Sequence, residues 1–154
     1  VLTALANRFG TQAVVVAIDA AARGTPPALG ETSFIDGETS PWEVVIDAGR
    51  TRTGLDPVAW ASRATALGAG EVLLTSRDRD GTGLGYDLEL VSAVARVVTV
   101  PVVASGGAET PEQMWQGAAA GAAAVLAAGT FHYGRRTIRE VKAYLAERKV
   151  EVRL

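Results

Sequence analysis

Four short apolar runs recur along the chain, and each is followed, directly or after a loop, by a segment with the spacing of an amphipathic helix. The runs are rich in Val, Leu and Ala and show little polar alternation, which is typical of parallel strands buried on both faces. They lie in residues 13–19, 68–76, 100–107 and 122–130. The pattern therefore predicts an α/β fold in which strands and helices alternate.

Helix-start signals separate these runs. Asp56 and Thr110 stand where an N-cap is expected, and Pro57 and Pro111 follow them in the first turn. Apolar spacing predicts further helices over residues 2–9, 86–98 and 137–149. Residues 42–47 predict a strand and residues 48–54 a turn at the rim of the fold, half of a hairpin.

Four strand-then-helix units require a parallel sheet with right-handed crossovers. Polar residues and glycines gather after the strands and bland turns precede them, an asymmetry typical of a (β/α) barrel. Because a closed barrel needs eight such units, we predict a half-barrel of about four βα units, a single domain over residues 1–154 with a long rim loop at about 20–48. An open flavodoxin-like sheet, with its site at the same strand ends, is the alternative.

Composition narrows the function. The chain has 154 residues, a net charge of -2, no cysteine and one histidine. This charge gives no footprint for nucleic acid and no polybasic membrane patch, and no apolar run approaches the ~20 residues of a membrane span. The lack of cysteine excludes disulfides and thiolate metal sites and favours a cytoplasmic location. A lone His132 argues against a multi-histidine metal site.

Small residues at two strand ends indicate an anion site. Ser105, Gly106 and Gly107 close the third run, and Ala128 and Gly129 close the fourth. Glycines let backbone N–H groups approach an anion, and the helix after Gly107 adds its positive amino end. A tight strand-to-helix turn would explain either loop alone. Two such loops on consecutive strands favour a phosphate cradle like that of barrel enzymes.

Four stretches carry a more specific resemblance: QAVVVAIDA, GAGEVLLTSRDRDGTGLGYDLEL, PVVASGGAETPEQM and FHYGRRTIREVKAYLAERKVEVRL. Together they resemble the carboxyl-terminal half of the cyclase subunit of imidazole glycerol phosphate synthase, a family of histidine biosynthesis. The resemblance covers nearly the whole chain apart from residues 21–41, and TSRDRDGT is its most distinctive part. A related phosphoribosyl isomerase of the same pathway lacks this set of motifs.

The resemblance implies a lyase reaction on a phosphorylated small molecule. The family's cyclase converts a phosphoribulosyl-formimino aminoimidazole carboxamide ribonucleotide and ammonia to imidazole glycerol phosphate and aminoimidazole carboxamide ribonucleotide. A glutaminase subunit supplies the ammonia through the barrel, and no metal or organic cofactor is implied. Asp19 matches one of two catalytic aspartates, since the chemistry needs one acid and one base. Its setting alone would favour a capping or bracing carboxylate.

The resemblance also implies binding roles for residues after the second and later runs. Asp80 matches a substrate-binding carboxylate, and Thr75, Ser76 and Gly81 are expected beside it. One of two phosphate sites maps onto Ser105, Gly106, Gly107, Ala128 and Gly129. The family usually has serine where this chain has Gly129, so one hydroxyl contact, worth ~1 kcal/mol, is expected to be lost.

Other polar and aromatic residues have structural interpretations. Asp78 is interpreted as a bracing residue, and His132 as a brace of the final loop and helix. The three tryptophans, Trp42, Trp60 and Trp115, are expected to pack.

The family's second catalytic aspartate lies on the first barrel strand, which no segment here supplies. Two functions therefore lead: a cyclase half-site with little or no activity alone, or a non-catalytic phosphate-binding fragment or engineered half-barrel. A third, an isomerase of the same pathway, is disfavoured by the TSRDRDGT stretch. The missing initial Met and a start inside a helix favour the second. Raw sheet edges and an exposed inner face predict a homo-oligomer or pairing with a first-half chain.

Overall fold

A computed structural model describes residues 1–24 and 40–153 of the chain. The strands are β1 (Val15–Ala22), β2 (Trp42–Ile46), β3 (Thr51–Arg52), β4 (Glu71–Ser76), β5 (Val102–Ser105) and β6 (Ala124–Val125). The helices are α1 (Leu2–Phe9), a 3-10 turn (Thr11–Ala13), α2 (Pro57–Ala66), α3 (Leu88–Val97), α4 (Pro111–Ala119), α5 (Gly129–His132) and α6 (Ile138–Glu147). The middle of the predicted rim loop, residues 25–39, lies outside the described residues.

One six-stranded sheet has the order β3-β2-β1-β4-β5-β6. The strands β1, β4, β5 and β6 are parallel and neighbour one another in chain order, which confirms the predicted parallel sheet. The hairpin of β2 and β3 adds antiparallel strands beside β1. Strand β1 runs past its predicted end at Asp19 because β2 pairs with Asp19 through Ala22.

The two faces of the sheet differ in burial. On one face Ile18, Val72, Leu74 and Val102 are buried and belong to the hydrophobic core. Residues on α3, α4 and α6 complete that core: Leu90, Val91, Val94, Met114, Val141 and Leu145. The alternate positions are more open, and Val15 is 52% exposed. The expectation that the first strand is buried on both sides is therefore wrong, because about half of the surface of Val15 stays exposed.

Side-chain caps fix the helix starts that position the loops. Asp56 accepts hydrogen bonds from the N–H groups of Val58 (2.8 Å) and Ala59 (3.1 Å), and also from Ser40 (2.5 Å). Thr110 begins α4 in a capping box with Gln113. Both predicted caps are confirmed. Within residues 1–24 and 40–153, no helix is long and apolar enough to cross a membrane.

Candidate active site

Three polar residues form a row across the carboxyl ends of neighbouring parallel strands. The register pairs Asp19 of β1 with Thr75 of β4, and Thr75 with Ser105 of β5. Laterally paired residues of parallel strands present their side chains on one face, and adjacent strands lie about 4.8 Å apart. The row therefore spans about 10 Å. It lies on the open face of the sheet, where all three residues are partly exposed.

The Asp19 side chain is partly exposed. Its carboxylate makes no hydrogen bond or ion pair with another residue of the described chain. The bracing role belongs instead to Asp78, whose carboxylate accepts the Ala22 N–H at 2.6 Å and fastens the loop after β4 to the end of β1. The bracing interpretation of Asp78 is confirmed, and nothing described gives Asp19 the capping role that its sequence setting allowed.

The loop after β4 holds Asp80 at the edge of this region. The Asp80 N–H donates to the Ser76 carbonyl (2.9 Å), and its carboxylate pairs with Arg77 at 2.9 Å. Arg77 in turn donates from its backbone N–H to the Ala20 carbonyl (2.8 Å). These contacts give the loop a fixed shape on β1.

Ser76 does not join the row. Side chains alternate along a strand, so Ser76 lies on the opposite face from Thr75 and is only 3% exposed. Its hydroxyl has no hydrogen-bond partner among the described residues. The structure thus separates Ser76 from the other residues expected to contact a substrate.

The glycines after β5 are required by packing. Gly106 and Gly107 adopt φ values of 101° and 91°, in the left-handed region that favours glycine. A Cβ on Gly107 would lie 2.6 Å from the carbonyl oxygens of Arg79 and Gly85. The tight-turn explanation therefore accounts for these glycines without any ligand. Evidence for a ligand therefore has to come from the backbone amide groups.

Backbone N–H groups without a partner among the described residues line a cavity beside these glycines. A cavity of about 270 Å³ lies between the loops after β4, β5 and β6. All five predicted phosphate-binding residues line it, together with Asp80 and Gly81. Several lining residues have backbone N–H groups without a hydrogen bond to any other described residue, and among them are Gly106, Gly107, Ala108, Ala128 and Gly129. Backbone N–H groups are normally paired, so this cluster of donors is suited to bind an anion. We call it the amide cradle.

The amide cradle and the polar row meet at one residue. Ser105 ends the row and also lines the cavity, whereas Asp19, Thr75 and Ser76 do not line it. A ligand long enough to reach from the cradle past Ser105 would therefore contact the row as well.

Among the lining residues that the sequence did not predict are Glu109, Thr130 and Arg135. Thr130 is 2% exposed, and its hydroxyl donates to the Glu109 carbonyl at 3.0 Å. Arg135 forms an ion pair with Glu109. No local pattern links residues 26 positions apart, and the short helix α5 that brings them together was not predicted.

The remaining polar and aromatic residues lie away from the row. His132 is exposed and makes an edge contact with the Tyr133 ring, 5.0 Å between centroids. Trp42 is buried and donates from Nε1 to Asp87 at 2.9 Å, while Trp60 and Trp115 pack against the core. The packing role of the tryptophans is confirmed. No group of three His, Asp or Glu side chains within the described ranges is placed to hold a metal ion.

Comparisons with known proteins show which family the chain is similar to. The family described as "Histidine biosynthesis protein" matches residues 1–137. Over 150 residues the chain is 52% identical to imidazole glycerol phosphate synthase subunit HisF of Pyrobaculum aerophilum. That match covers 97% of this chain and 53% of the relative. The chain therefore spans about half the length of the curated relative that it matches.

Proposed function

Because the chain belongs to the histidine biosynthesis protein family, we propose that it provides the carboxyl-terminal half of the cyclase site of imidazole glycerol phosphate synthase. The reaction is the ammonia-dependent conversion of the phosphoribulosyl-formimino ribonucleotide to imidazole glycerol phosphate and aminoimidazole carboxamide ribonucleotide. The observation that carries this proposal is the row from Asp19 to Ser105, which leads from a carboxylate without a partner in the described chain to the amide cradle.

In this proposal each part of the site has one role. The amide cradle binds one phosphate of the substrate through backbone N–H groups and fixes the position of the reacting atoms. Asp19 transfers a proton at the reacting end. Thr75 lies between them and offers its hydroxyl to the substrate, and Asp80 binds a substrate hydroxyl at the cavity edge. No step requires a metal or an organic cofactor.

The sheet supports a half-barrel as the form of this site. Its parallel strands follow chain order without the reversal of a doubly wound sheet. Apolar side chains on the open face, such as Val15 (52% exposed) and Leu126 (42% exposed), need a cover. We propose that four further βα units close the barrel over this face and supply the second catalytic aspartate.

Two kinds of partner follow from this form. A first-half polypeptide, or a second copy of this chain in its absence, would cover the open face and the sheet edges. A glutaminase subunit would deliver ammonia to the closed barrel in the cytoplasm. Light scattering of the purified chain tests the first point, because a monomer at every concentration would contradict it.

A cyclase assay tests the function. The chain alone is expected to show little or no ammonia-dependent turnover, because it holds one catalytic carboxylate. Mixing it with the amino-terminal half of the Pyrobaculum relative should restore turnover. In the mixture, Asp19→Asn should lower kcat at least about 100-fold, the usual size of one acid–base contribution. The matched control Asp47→Asn changes a carboxylate in the exposed turn between β2 and β3 and should leave kcat within about twofold.

Two results would contradict the proposal. One is full turnover by the chain alone, since the second carboxylate would then be unnecessary. The other is an Asp19→Asn mixture as fast as the Asp47→Asn mixture. Phosphate binding without turnover in any mixture would favour the second candidate, a non-catalytic phosphate-binding half-barrel. The single carboxylate of the row is the observation in favour of that candidate.

A further inference from the structure

The cation at the mouth of the amide cradle has no role in the function proposed above. Arg135 lines the cavity, and its guanidinium is paired with the carboxylate of Glu109. Both side chains are partly exposed, at 56% and 38%. Of the cavity-lining residues, Arg135 carries the one positive charge, and Asp80 and Glu109 carry negative charges. The charges of these lining residues sum to -1, although the backbone N–H groups of the same cavity are suited to bind an anion.

The backbone fixes Arg135 in this position. Its N–H donates to the Thr130 carbonyl at 2.9 Å. Thr130 is buried, and its hydroxyl holds the Glu109 carbonyl. The loop after β5 and the segment after α5 are therefore joined at Thr130. The backbone of Arg135 is consequently anchored beside the cradle, while the guanidinium itself is held by its ion pair with Glu109.

Glu109 is fixed as well. Its N–H donates to the Gln113 side chain at 2.8 Å, beside the capping box of α4. Its carboxylate lies over Gly83, where a Cβ would approach Oε2 to 2.6 Å. Glu109 therefore occupies the space that a side chain at residue 83 would fill. From there it neutralises Arg135 while the cradle is empty.

The relative strengths of the possible pairs favour an exchange of partners. An exposed Arg–carboxylate pair contributes little because water screens it. A phosphate dianion carries twice the charge, accepts two parallel hydrogen bonds from a guanidinium, and would already be held by the five cradle amides. Exchanging the Glu109 carboxylate for a phosphate therefore costs little free energy and gives the Arg135 guanidinium a stronger ion pair.

We propose that Arg135 is a phosphate-binding residue of this chain, and that Glu109 is its resting counter-ion, which lowers phosphate affinity until the guanidinium is transferred. This inference rests on the proposed phosphate site. It assigns the affinity of that site to a side-chain pair as well as to backbone amides.

Titration with inorganic phosphate by calorimetry, at fixed ionic strength, tests the inference. Arg135→Gln should raise the Kd about five- to tenfold, because a charge-assisted pair is lost. The matched control Arg136→Gln removes the same charge one position along, where the residue is exposed and outside the cavity lining. It should change the Kd less than about twofold. Glu109→Gln should lower the Kd about threefold or more, because the competing carboxylate is removed.

The outcomes separate this inference from the phosphate site itself. Suppose that the unaltered chain binds phosphate and that the Arg135→Gln variant has the same Kd as the Arg136→Gln variant. Arg135 is then not a ligand, and the inference fails while the phosphate site stands. Equal weakening by both glutamine variants would also overturn it, since general charge would be the cause. Weaker binding by Glu109→Gln would refute the counter-ion role. No binding by the unaltered chain would overturn both the inference and the proposed site. Thermal melts of each variant identify any loss of folding.

Discussion

Gly129 offers a direct test of the amide cradle, because its backbone N–H is retained in any substitution while its missing side chain can be restored. The resemblance to the cyclase family implies a serine at this position. In the structure Gly129 is the first residue of α5, and a Cβ there would meet no atom closer than 3.9 Å, on the Tyr133 ring. Its φ is not in the left-handed region. Gly129→Ser should therefore fold without strain.

The expected gain follows from one hydrogen bond. A hydroxyl that donates to a charged acceptor contributes about 1.5 kcal/mol or more, which corresponds to roughly tenfold tighter binding of phosphate. The matched control is Gly129→Ala, which adds the same Cβ and removes the same backbone freedom without a hydroxyl. Its Kd should stay within about twofold of the unaltered chain.

Calorimetric titration of the three proteins with inorganic phosphate makes the comparison at one pH and one ionic strength. The order expected is Gly129→Ser tightest, with Gly129→Ala and the unaltered chain close together. Equal affinities of the serine and alanine variants would refute the reasoning, because residue 129 would then not face the bound anion.

Three further predictions concern stability and are checked by thermal and urea unfolding. Asp56→Ala should cost about 2–4 kcal/mol, because three N–H groups lose their acceptor; Asp56→Asn should cost less, and equal losses would contradict the charge-assisted bonding. Gly117→Ala should destabilise the fold by about 1–3 kcal/mol, because the alanine Cβ would lie 2.7 Å from the Tyr86 ring. The gain in helix propensity offsets only about 1 kcal/mol of this. A higher Tm would contradict the prediction and show that Tyr86 can move. Burial raises the pKa of Tyr86, so above pH about 10 the unfolded state releases a proton that the folded state keeps. The free energy of unfolding should therefore fall with rising pH. Tyr86→Phe should make this fall less steep, and an unchanged pH dependence would contradict the assignment.

Local sequence patterns predicted the elements that local physics determines. Apolar runs located the parallel strands, and Asp56 and Thr110 marked helix starts through side-chain caps that need only nearby N–H groups. The end of β1 was missed because Ala20–Ala22 are held by pairing with β2, a contact between distant residues. Helix α5 was missed because four residues are too few to show helical periodicity.

The candidate site likewise contains residues that the sequence singles out and contacts that depend on distant parts of the chain. Position at a strand end was enough to single out Ser105, whereas Asp19 was singled out by the family resemblance. Alternation along β4 separates Thr75 from Ser76 once the burial of one face is known. The register that aligns the row is not readable from one strand. The Glu109–Arg135 pair could not be found because it depends on how two loops pack. The exposure of the second sheet face depends on what covers it, which no strand sequence encodes.

Five backbone N–H groups at the ends of two neighbouring strands are proposed to bind a phosphate dianion. A residue-resolved NMR titration of the ¹⁵N-labelled chain with inorganic phosphate measures this directly. The account predicts that the amide signals of Gly106, Gly107, Ala108, Ala128 and Gly129 shift together, along one saturating curve. Shifts confined to exposed arginines and lysines elsewhere, with these five signals unmoved, would contradict it.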